Sequence, residues 1–370
     1  LYHLIFVVKI KIIMKVSIIG NGLTSLTLAK SLVNQGIKVD IFSTRETKKN
    51  NKTQTLGISK SNIDFFNKNI LNIKKFLWKI DKIEIYGEKT KNEKILNFEN
   101  ANKQLFSIIR NFDLYNYLLL DLKKNKLIKF KKIISYKNLI KNNYKLIFNC
   151  DHSNPISKYF FYKKIEKNYH GFAHITSFNH KKLPNNNIAI QIFTKKGPLA
   201  FLPISKTETS VVYSARGKKD IVLEDLIKKY NMKYKILKIN KSQSFSLKSS
   251  TLRSYYHKNI IAFGDLLHRL HPLAGQGFNM TIRDIKEIIS LIKFRKEHGL
   301  DLDSSICLEF EKNTKNKNYL FSNGVDFIYE FFNLENKINY NNFGKSIKFF
   351  DKTRIFNKIF IKFADEGIVV

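Results

Sequence analysis

The chain has 370 residues, of which 43% are hydrophobic and 13% aromatic, which predicts one large or two intermediate folded domains and excludes a disordered protein. The formal net charge of +36 comes from lysines scattered along the whole sequence. That distribution favours a compositional bias over a nucleic-acid-binding surface, although the charge would attract anionic cofactors and lipids. With only two cysteines, Cys150 and Cys307, the chain allows at most one disulfide and favours a reduced, cytoplasmic setting.

Residues 1–13 form an apolar segment with interspersed lysines ahead of Met14. The segment is much shorter than the roughly 20 residues that a membrane-spanning helix needs, and it lacks the small residues of a signal-peptide cleavage site. Because the first interpretable strand starts directly after Met14, we expect the fold to begin there, with residues 1–13 as an extension outside it.

The first elements predict a β-α-β unit. Lys15–Gly20 is a short apolar run that ends in glycine, which is typical of a buried parallel strand. Apolar residues then recur at helical spacing up to Val33, Gly36 ends the helix, and Ile37–Phe42 is the next predicted strand. Further along, the patterns predict helices at Ile63–Trp78 and Leu114–Leu122 and a buried strand at Tyr144–Phe148.

The second half of the chain predicts a different kind of sheet. Several β-rich runs between His170 and Ser214 are separated by turn-forming residues, which indicates antiparallel pairing. A strand at Asn259–Phe263 and an amphipathic helix at Phe278–Ile292 follow. The order predicts an α/β fold in which a β-rich domain, residues 166–249, is inserted between residues 14–165 and 250–300. A helical region, residues 301–370, ends the chain, and residues around 60–105 can be assigned to either domain.

The segment Gly20–Ser25 (GNGLTS) connects the first strand to the first helix. In such a turn the first glycine permits the tight bend and the second lets a pyrophosphate approach the backbone, while the helix N-terminus presents free N–H groups. Ser25 takes the place of the usual third glycine and is small enough for close packing. The acidic residue expected after the second strand is replaced by Ser43, with Glu46 nearby. A plain structural turn remains the alternative.

A second glycine-rich segment, Gly264–Asn279 (GDLLHRLHPLAGQGFN), also connects a predicted strand to a predicted helix. It resembles the FAD-dependent aromatic-ring monooxygenases, specifically their ubiquinone-biosynthesis hydroxylase branch. Gly197–Pro203 (GPLAFLP) is similar to the strand of that family's substrate domain that passes close to the flavin. The resemblance implies FAD as cofactor and a Rossmann-like FAD-binding domain with an inserted antiparallel-sheet substrate domain and a helical C-terminus.

The resemblance also implies roles for individual residues. Asp265 matches the family's strand-end aspartate, which binds the ribityl chain. Pro272–Asn279 matches the loop that wraps the isoalloxazine, so Pro272 and Gly275 are the expected flavin-positioning residues, and no acid–base catalyst is assigned. Such a loop brings N–H donors and a positive dipole end close to an anionic reduced flavin. The expected cofactor contacts are Gly20, Gly22, Leu23, Ser25, Ser43, Arg110, Asp265, Pro272, Gly275, Gln276, Gly277, Phe278 and Asn279.

Two stretches depart from the family pattern. Ser107–Leu114 resembles a strand-to-helix element that contacts the cofactor, but the expected basic residue falls at Phe112, two positions after Arg110. In Asn149–Lys158 the family's Asp is kept as Asp151, whereas its glycine, serine and arginine are replaced. The replacing residues are His152, Pro155 and Lys158. Either this loop has drifted in a working enzyme, which we favour, or flavin reduction has been lost or altered.

Histidine and phenylalanine side chains offer weaker signals. No third ligand at suitable spacing accompanies His268 and His271, so no metal site is expected, and a structural role is favoured over acid–base catalysis. Phe327, Phe331 and Phe332 form an aromatic cluster on a predicted terminal helix. Ordinary helix packing is favoured over contact with a membrane or an apolar substrate.

The resemblance implies that NAD(P)H reduces the flavin and that O2 supplies the oxygen atom for hydroxylation of a polyprenylated ubiquinone precursor. A flavin- or lipid-binding subunit without turnover remains an alternative, as does a related flavin oxidoreductase such as a prenyl-chain reductase. A nucleic-acid-binding module would rest on charge alone. The charge of +36 and the apolar substrate predict loose peripheral association with the inner face of a membrane. Participation in a ubiquinone-biosynthesis complex is a further expectation.

Overall fold

The computed structural model describes residues 14–43, 53–88, 94–99, 104–133, 135–142, 144–217, 219–271, 275–335, 362–363 and 365–367. The side chains of residues 331–335 are not described, so Phe331 and Phe332 of the predicted aromatic cluster lie outside the described side chains. The third member, Phe327, is 69% exposed rather than packed in the core. The predicted extension, residues 1–13, also lies outside the described residues.

The first sheet is mainly parallel. With strands numbered in chain order, its spatial order is β16 (Tyr256–His257), β17 (Ile260–Ala262), β9 (Ile147–Asn149), β1 (Lys15–Ile19), β2 (Lys38–Ser43) and β8 (Ile128–Lys132). All neighbours pair in parallel except β16, which is antiparallel to β17. The predicted β-α-β unit is confirmed, because β1 and β2 pair in parallel on either side of helix α1 (Leu23–Val33) in the sequence.

The second sheet is mainly antiparallel. Its main path is β18 (His268–Arg269), β15 (Gln243–Leu252), β10 (Lys164–His180), β13 (Glu208–Arg216), β12 (Gly197–Pro203), β11 (Ile188–Thr194), β5 (Lys82–Gly87) and β6 (Lys94–Glu99). A ninth strand, β14 (Ile236–Ile239), pairs with β10, and the pair β11–β5 is parallel. The predicted antiparallel sheet is confirmed, and β5 and β6 extend it beyond the predicted strands.

A small third sheet has the order β3 (Thr55–Ser59), β7 (Phe106–Arg110) and β4 (Trp78–Ile80). Its central strand β7 coincides with the strand of the predicted strand-to-helix element Ser107–Leu114, whereas no strand was predicted at β3 or β4. Both neighbours of the central strand β7 are antiparallel to it.

The predicted helix at Ile63–Trp78 is wrong in its second half. Helix α2 (Lys60–Asn69) ends early, and Trp78 opens strand β4. The side chain of Asn67 accepts a hydrogen bond from the Ile73 N–H (2.8 Å), an interaction that competes with helical backbone pairing.

The remaining helices are α3 (Asn111–Lys123), α4 (Tyr136–Lys141), α5 (Pro155–Phe160), α6 (Leu223–Tyr230), α7 (Gln276–Glu297) and α8 (Ser305–Glu335). The largest core joins the first sheet to α1, α3 and α7 through fully buried side chains such as Leu26, Leu118 and Ile285. Burial of this kind contributes roughly 1.5–3 kcal/mol per large apolar side chain. In the part of the chain described, no helix is both long and apolar enough to cross a bilayer. The predicted α/β fold class is confirmed.

Candidate functional site

Gly20 and Gly22 shape the turn between β1 and α1. An added Cβ on Gly20 would lie 3.2 Å from the Ser25 hydroxyl and 3.4 Å from the Cβ of Asp151, so the glycine lets these two residues approach closely. Gly22 caps α1 without a side-chain hydrogen bond, and an added Cβ there would meet no described atom within 4 Å. The helix N-terminus therefore faces open space, where its N–H donors and positive dipole end favour an anionic group.

The turn after β17 packs against the same helix. Gly264 has a left-handed φ of 62°, and an added Cβ would lie 2.6 Å from Thr24 Cγ2. The next residue, Asp265, has an exposed side chain that lines the same cavity as Gly22. Two segments that are far apart in the sequence therefore meet at one cavity.

The start of α7 forms a third wall of that cavity. Gly275 precedes the helix with a left-handed φ of 65°, and an added Cβ would lie 3.1 Å from the backbone nitrogen of Gly57 on β3. An added Cβ on Gly277 would meet no described atom within 4 Å, so the first turn of α7 is open. Because α7 also lacks a side-chain cap, it presents a second group of free backbone N–H donors.

Asn279 connects α7 to β3. Its Oδ1 accepts hydrogen bonds from the Ser59 N–H (2.9 Å) and from Asn62 Nδ2 (3.0 Å), and its Nδ2 donates to the Gly57 carbonyl (2.9 Å). The side chain lines the cavity but is only 1% exposed. Its amide is engaged by protein partners, so what it contributes to the site is the position of Gly57 opposite Gly275.

These walls belong to a cavity of about 1330 Å³. Part of its lining comes from the glycine-rich turns, and part from apolar side chains of the second and third sheets and of α8. Apolar lining residues include Ile83, Phe98, Phe193, Leu202, Phe321 and Ile328. The volume exceeds the roughly 300–1,000 Å³ of common small-molecule pockets, which leaves room for a large cofactor and an apolar ligand together.

The structure brings eleven of the thirteen expected cofactor contacts to this cavity. They are Gly20, Gly22, Leu23, Ser25, Ser43, Asp265, Gly275, Gln276, Gly277, Phe278 and Asn279. Pro272 lies outside the described residues. Glu46, the acidic residue near Ser43 after the second predicted strand, also lies outside them.

Arg110 is the expected contact that the structure places elsewhere. Its guanidinium pairs with Glu208 in a separate hollow, which Lys241 also lines. Arg110 is the last residue of β7, and it is Asn111 and Tyr115 of the following helix that line the main cavity.

His268 is a buried residue of the short strand β18, in the segment between β17 and α7. Its Nε2 is hydrogen-bonded to Asp284, whose other carboxylate oxygen accepts a hydrogen bond from Asn318 Nδ2 (2.9 Å). These contacts join the loop to α7 and α8, which fits the structural role favoured from the sequence.

His271 is buried between two tyrosine rings. The ring-centroid distances are 4.7 Å to Tyr169 and 4.1 Å to Tyr329. Burial, together with the positive charges of Lys167 and Arg216, lowers the pKa of His271 to about 3. The imidazole is therefore neutral near pH 7.

The stretch that departs most from the family pattern forms a capped helix. The Asn154 side chain accepts a hydrogen bond from the Ser157 N–H (2.9 Å), and Pro155 occupies the first turn of α5. Both are favoured residues at a helix start. His152 and Lys158 line the cavity, so the replacements build an ordered part of the candidate site.

Sequence reasoning missed two walls of the cavity. Gly57 lies on β3, for which no strand was predicted, and the short run Thr55–Ser59 was the available signal. Near the C-terminus, Asp365 accepts a hydrogen bond from the Ser61 N–H (2.8 Å) and lines the cavity together with Phe363. No local pattern marks this contact, because it joins residues 304 positions apart.

No protein-family model matches the chain. Among solved structures, p-nitrophenol 4-monooxygenase from Pseudomonas putida superposes with a TM-score of 0.77 at 11% identity, over 97% of this chain and 99% of that one. A variant of HpxO from Klebsiella pneumoniae complexed with FAD superposes with a TM-score of 0.71 at 11% identity, over 94% and 97%. The chain has the fold of the FAD-dependent aromatic-ring monooxygenases.

Curated sequences point to one branch of that class. The mitochondrial ubiquinone biosynthesis monooxygenase COQ6 of Schizosaccharomyces pombe is 32% identical over 96 residues, which cover 26% of this chain and 20% of that protein. COQ6 of Xenopus tropicalis is 24% identical over 234 residues, 51% of this chain and 50% of that protein. The chain thus spans half or less of these relatives' length. The resemblance to the ubiquinone-biosynthesis branch is confirmed.

Proposed function

We propose that this chain is an FAD-dependent monooxygenase that uses NAD(P)H and O2 to hydroxylate the aromatic ring of a polyprenylated ubiquinone precursor. The observation that carries the proposal is that glycine-rich turns and many apolar side chains line one cavity. The glycine-lined part fits a dinucleotide cofactor, and the apolar part fits an apolar substrate. The similarity to proteins named as ubiquinone biosynthesis monooxygenases supports the same reaction class.

The residues of the glycine-lined part of the cavity fit FAD. The N-termini at Gly22 and Gly275 lack side-chain caps, and the space beside Gly22 and Gly277 is open. Backbone N–H groups at α1 would hold the pyrophosphate, and those at α7 would stabilise negative charge on the reduced ring. The exposed carboxylate of Asp265 would accept hydrogen bonds from the ribityl hydroxyls. When bound, FAD supplies the redox chemistry, since it accepts hydride from NAD(P)H and activates O2.

The residues of the protein itself would position the substrate ring and exclude water. Apolar walls such as Phe193 and Leu202 would bury the prenyl chain, with roughly 0.8 kcal/mol of transfer free energy for each CH2 group. Holding the ring in one orientation lowers the entropic part of the activation free energy. A cavity without water also protects reactive intermediates from hydrolysis. The reaction requires no protein nucleophile.

We also propose that the protein associates peripherally with anionic membranes. The net charge of +36 creates a long-range attraction for anionic headgroups, and the proposed substrate is dissolved in lipid. Such attraction is screened by salt, so binding to anionic vesicles should weaken as ionic strength rises.

The test of the proposed reaction uses the purified flavin-loaded protein, a short-chain prenylated phenol and ¹⁸O2. We expect the phenol to stimulate NAD(P)H oxidation and one ¹⁸O atom to appear in the product ring, measured by mass spectrometry. A prenyl alcohol without a ring serves as control and should stimulate neither. Reduction of the prenyl chain without oxygen uptake would identify a chain reductase instead. Bound flavin without any substrate-stimulated oxidation would identify a flavin-binding subunit.

A further inference from the structure

The rim of the cavity carries an aromatic and basic segment, residues 158–164, with the sequence KYFFYKK. It joins the end of α5 to the start of β10. Lys158, Tyr162 and Lys164 all line the cavity, and all three side chains are exposed. Residues that line the cavity and also face solvent mark a place where the cavity opens, so this segment lies at an opening.

The four aromatic side chains of the segment divide into an inner and an outer pair. Phe161 is 4% exposed, and Phe160 stacks on His257 with 4.1 Å between the ring centroids. Tyr159 and Tyr162 are 75% and 60% exposed. The inner pair anchors the segment to the fold, and the outer pair presents two amphipathic rings to the surroundings.

Lysines flank the exposed tyrosines on both sides. Among the described residues, the ion pairs of this segment are limited to Lys164 with Glu166 (2.9 Å), which leaves Lys158 and Lys163 uncompensated. Lys163 Nζ lies 5.8 Å from the centre of the Tyr162 ring. A lysine stem is long enough to keep its ammonium among headgroups while a neighbouring ring sits deeper.

We propose that residues 158–164 dock the protein onto an anionic lipid bilayer. Tyr159 and Tyr162 would sit in the interfacial region, where tyrosine is enriched because its body is apolar and its hydroxyl is polar. Lys158 and Lys163 would contact anionic headgroups. Docking here turns the cavity opening toward the lipid, so a membrane-dissolved substrate reaches the cavity without crossing water. This inference rests on the proposed function, because an apolar polyprenylated substrate is what makes such an opening useful.

The first test is sedimentation with vesicles of phosphatidylcholine alone or mixed with phosphatidylglycerol, at low and at high salt. High salt screens the lysines, with a Debye length of about 3 Å at 1 M, so the binding that remains reports ring insertion. We expect the double substitution Tyr159→Ser and Tyr162→Ser to lower this salt-resistant binding on the order of tenfold. The control Tyr319→Ser removes a tyrosine that is 49% exposed on α8 and is not a lining residue, so binding should stay unchanged.

Three outcomes would overturn the proposal. If the wild-type protein binds no vesicles, it has no docking surface for lipid, and the segment faces a protein partner or solvent instead. A double variant that binds as wild type places the docking surface elsewhere. Equal losses in the double variant and in Tyr319→Ser would show that the effect is not specific to this segment. Flavin content and thermal melting of each variant establish that the fold is kept.

A second readout follows the segment directly. Tyr159→Trp should show a fluorescence blue shift when anionic vesicles are added, over the constant signal of Trp78, the single native tryptophan. Tyr319→Trp should show no blue shift. Blue shifts of equal size in the two variants, or no shift in either variant, would contradict docking through residues 158–164. Neither measurement requires turnover. If the protein binds vesicles through this segment but does not hydroxylate the phenol, only the proposed function is contradicted. If it hydroxylates the phenol but its vesicle binding does not depend on Tyr159 and Tyr162, only this inference is contradicted.

Discussion

Gly264 is packed directly against Thr24. An added Cβ on Gly264 would lie 2.6 Å from Thr24 Cγ2 and 2.8 Å from its Oγ1, distances that real Cβ atoms do not adopt. The contact joins the turn that carries Asp265 to the first turn of α1, where Gly22 faces the cavity. Two of the three walls of the candidate FAD site therefore meet at one packing contact.

Gly264→Ala should destabilise the protein by about 2–5 kcal/mol. The left-handed backbone costs roughly 1–2 kcal/mol for a residue with a side chain, and overpacking against Thr24 adds about 1–3 kcal/mol. Urea unfolding measures the loss. Gly299→Ala is the matched control, because Gly299 has a similar φ of 69° and an added Cβ there would meet no described atom within 4 Å.

The steric part of that loss can be measured separately with Gly264→Ala and Thr24→Ala combined. Thr24→Ala removes the two nearest atoms, so the double variant should recover part of the stability that Gly264→Ala alone loses. The coupling free energy from the four proteins reports the contact. If Gly264→Ala costs no more than Gly299→Ala, the packing contact does not matter for stability.

Asn279→Ala should cost about 2–4 kcal/mol of unfolding free energy. It deletes three hydrogen bonds, leaves the buried Ser59 N–H without its partner, and leaves Asn62 Nδ2 with only the Asn279 carbonyl as acceptor (3.3 Å). Since β3 loses its connection to α7, flavin content should fall as well. Asn313→Ala removes an exposed hydrogen bond to Glu287 and should change stability by less than about 0.5 kcal/mol. An Asn279→Ala protein with wild-type stability would show that β3 is held by other contacts.

His271 should make the protein less stable in mild acid. Its folded pKa of about 3 lies below the ordinary value of 6.5, so between these two pH values the unfolded chain binds a proton that the folded protein does not. The unfolding free energy therefore falls as the pH drops through this window, by about 2 kcal/mol between pH 7 and pH 5. In His271→Asn this contribution should be absent, whatever the variant's stability at pH 7. Equal pH slopes in both proteins would mean that His271 takes up its proton in the folded state.

Parts of the fold were predictable because their signals are local. The apolar run Lys15–Gly20 and the helical spacing after it specify the β-α-β unit, and the glycines of Gly264–Asn279 mark a strand-to-helix loop whatever surrounds it. The position of Gly57 was not predictable, because the partners of Asn279 that hold β3 lie more than 200 residues away. The position of Arg110 away from the main cavity was not predictable for a related reason, because its partner Glu208 belongs to another sheet.

We expect FAD to bind between the glycine turns, with Asp265 as its strongest side-chain contact. Titration of the flavin-free protein with FAD, followed by flavin fluorescence, measures this binding. Wild type should bind one FAD per chain, and Asp265→Ala should bind with one to two decades lower affinity, since hydrogen bonds to a charged group contribute about 1.5–3 kcal/mol. Lys286→Ala, on the exposed face of α7, should bind as wild type. A folded Asp265→Ala protein that keeps full FAD content and wild-type affinity would contradict the claim.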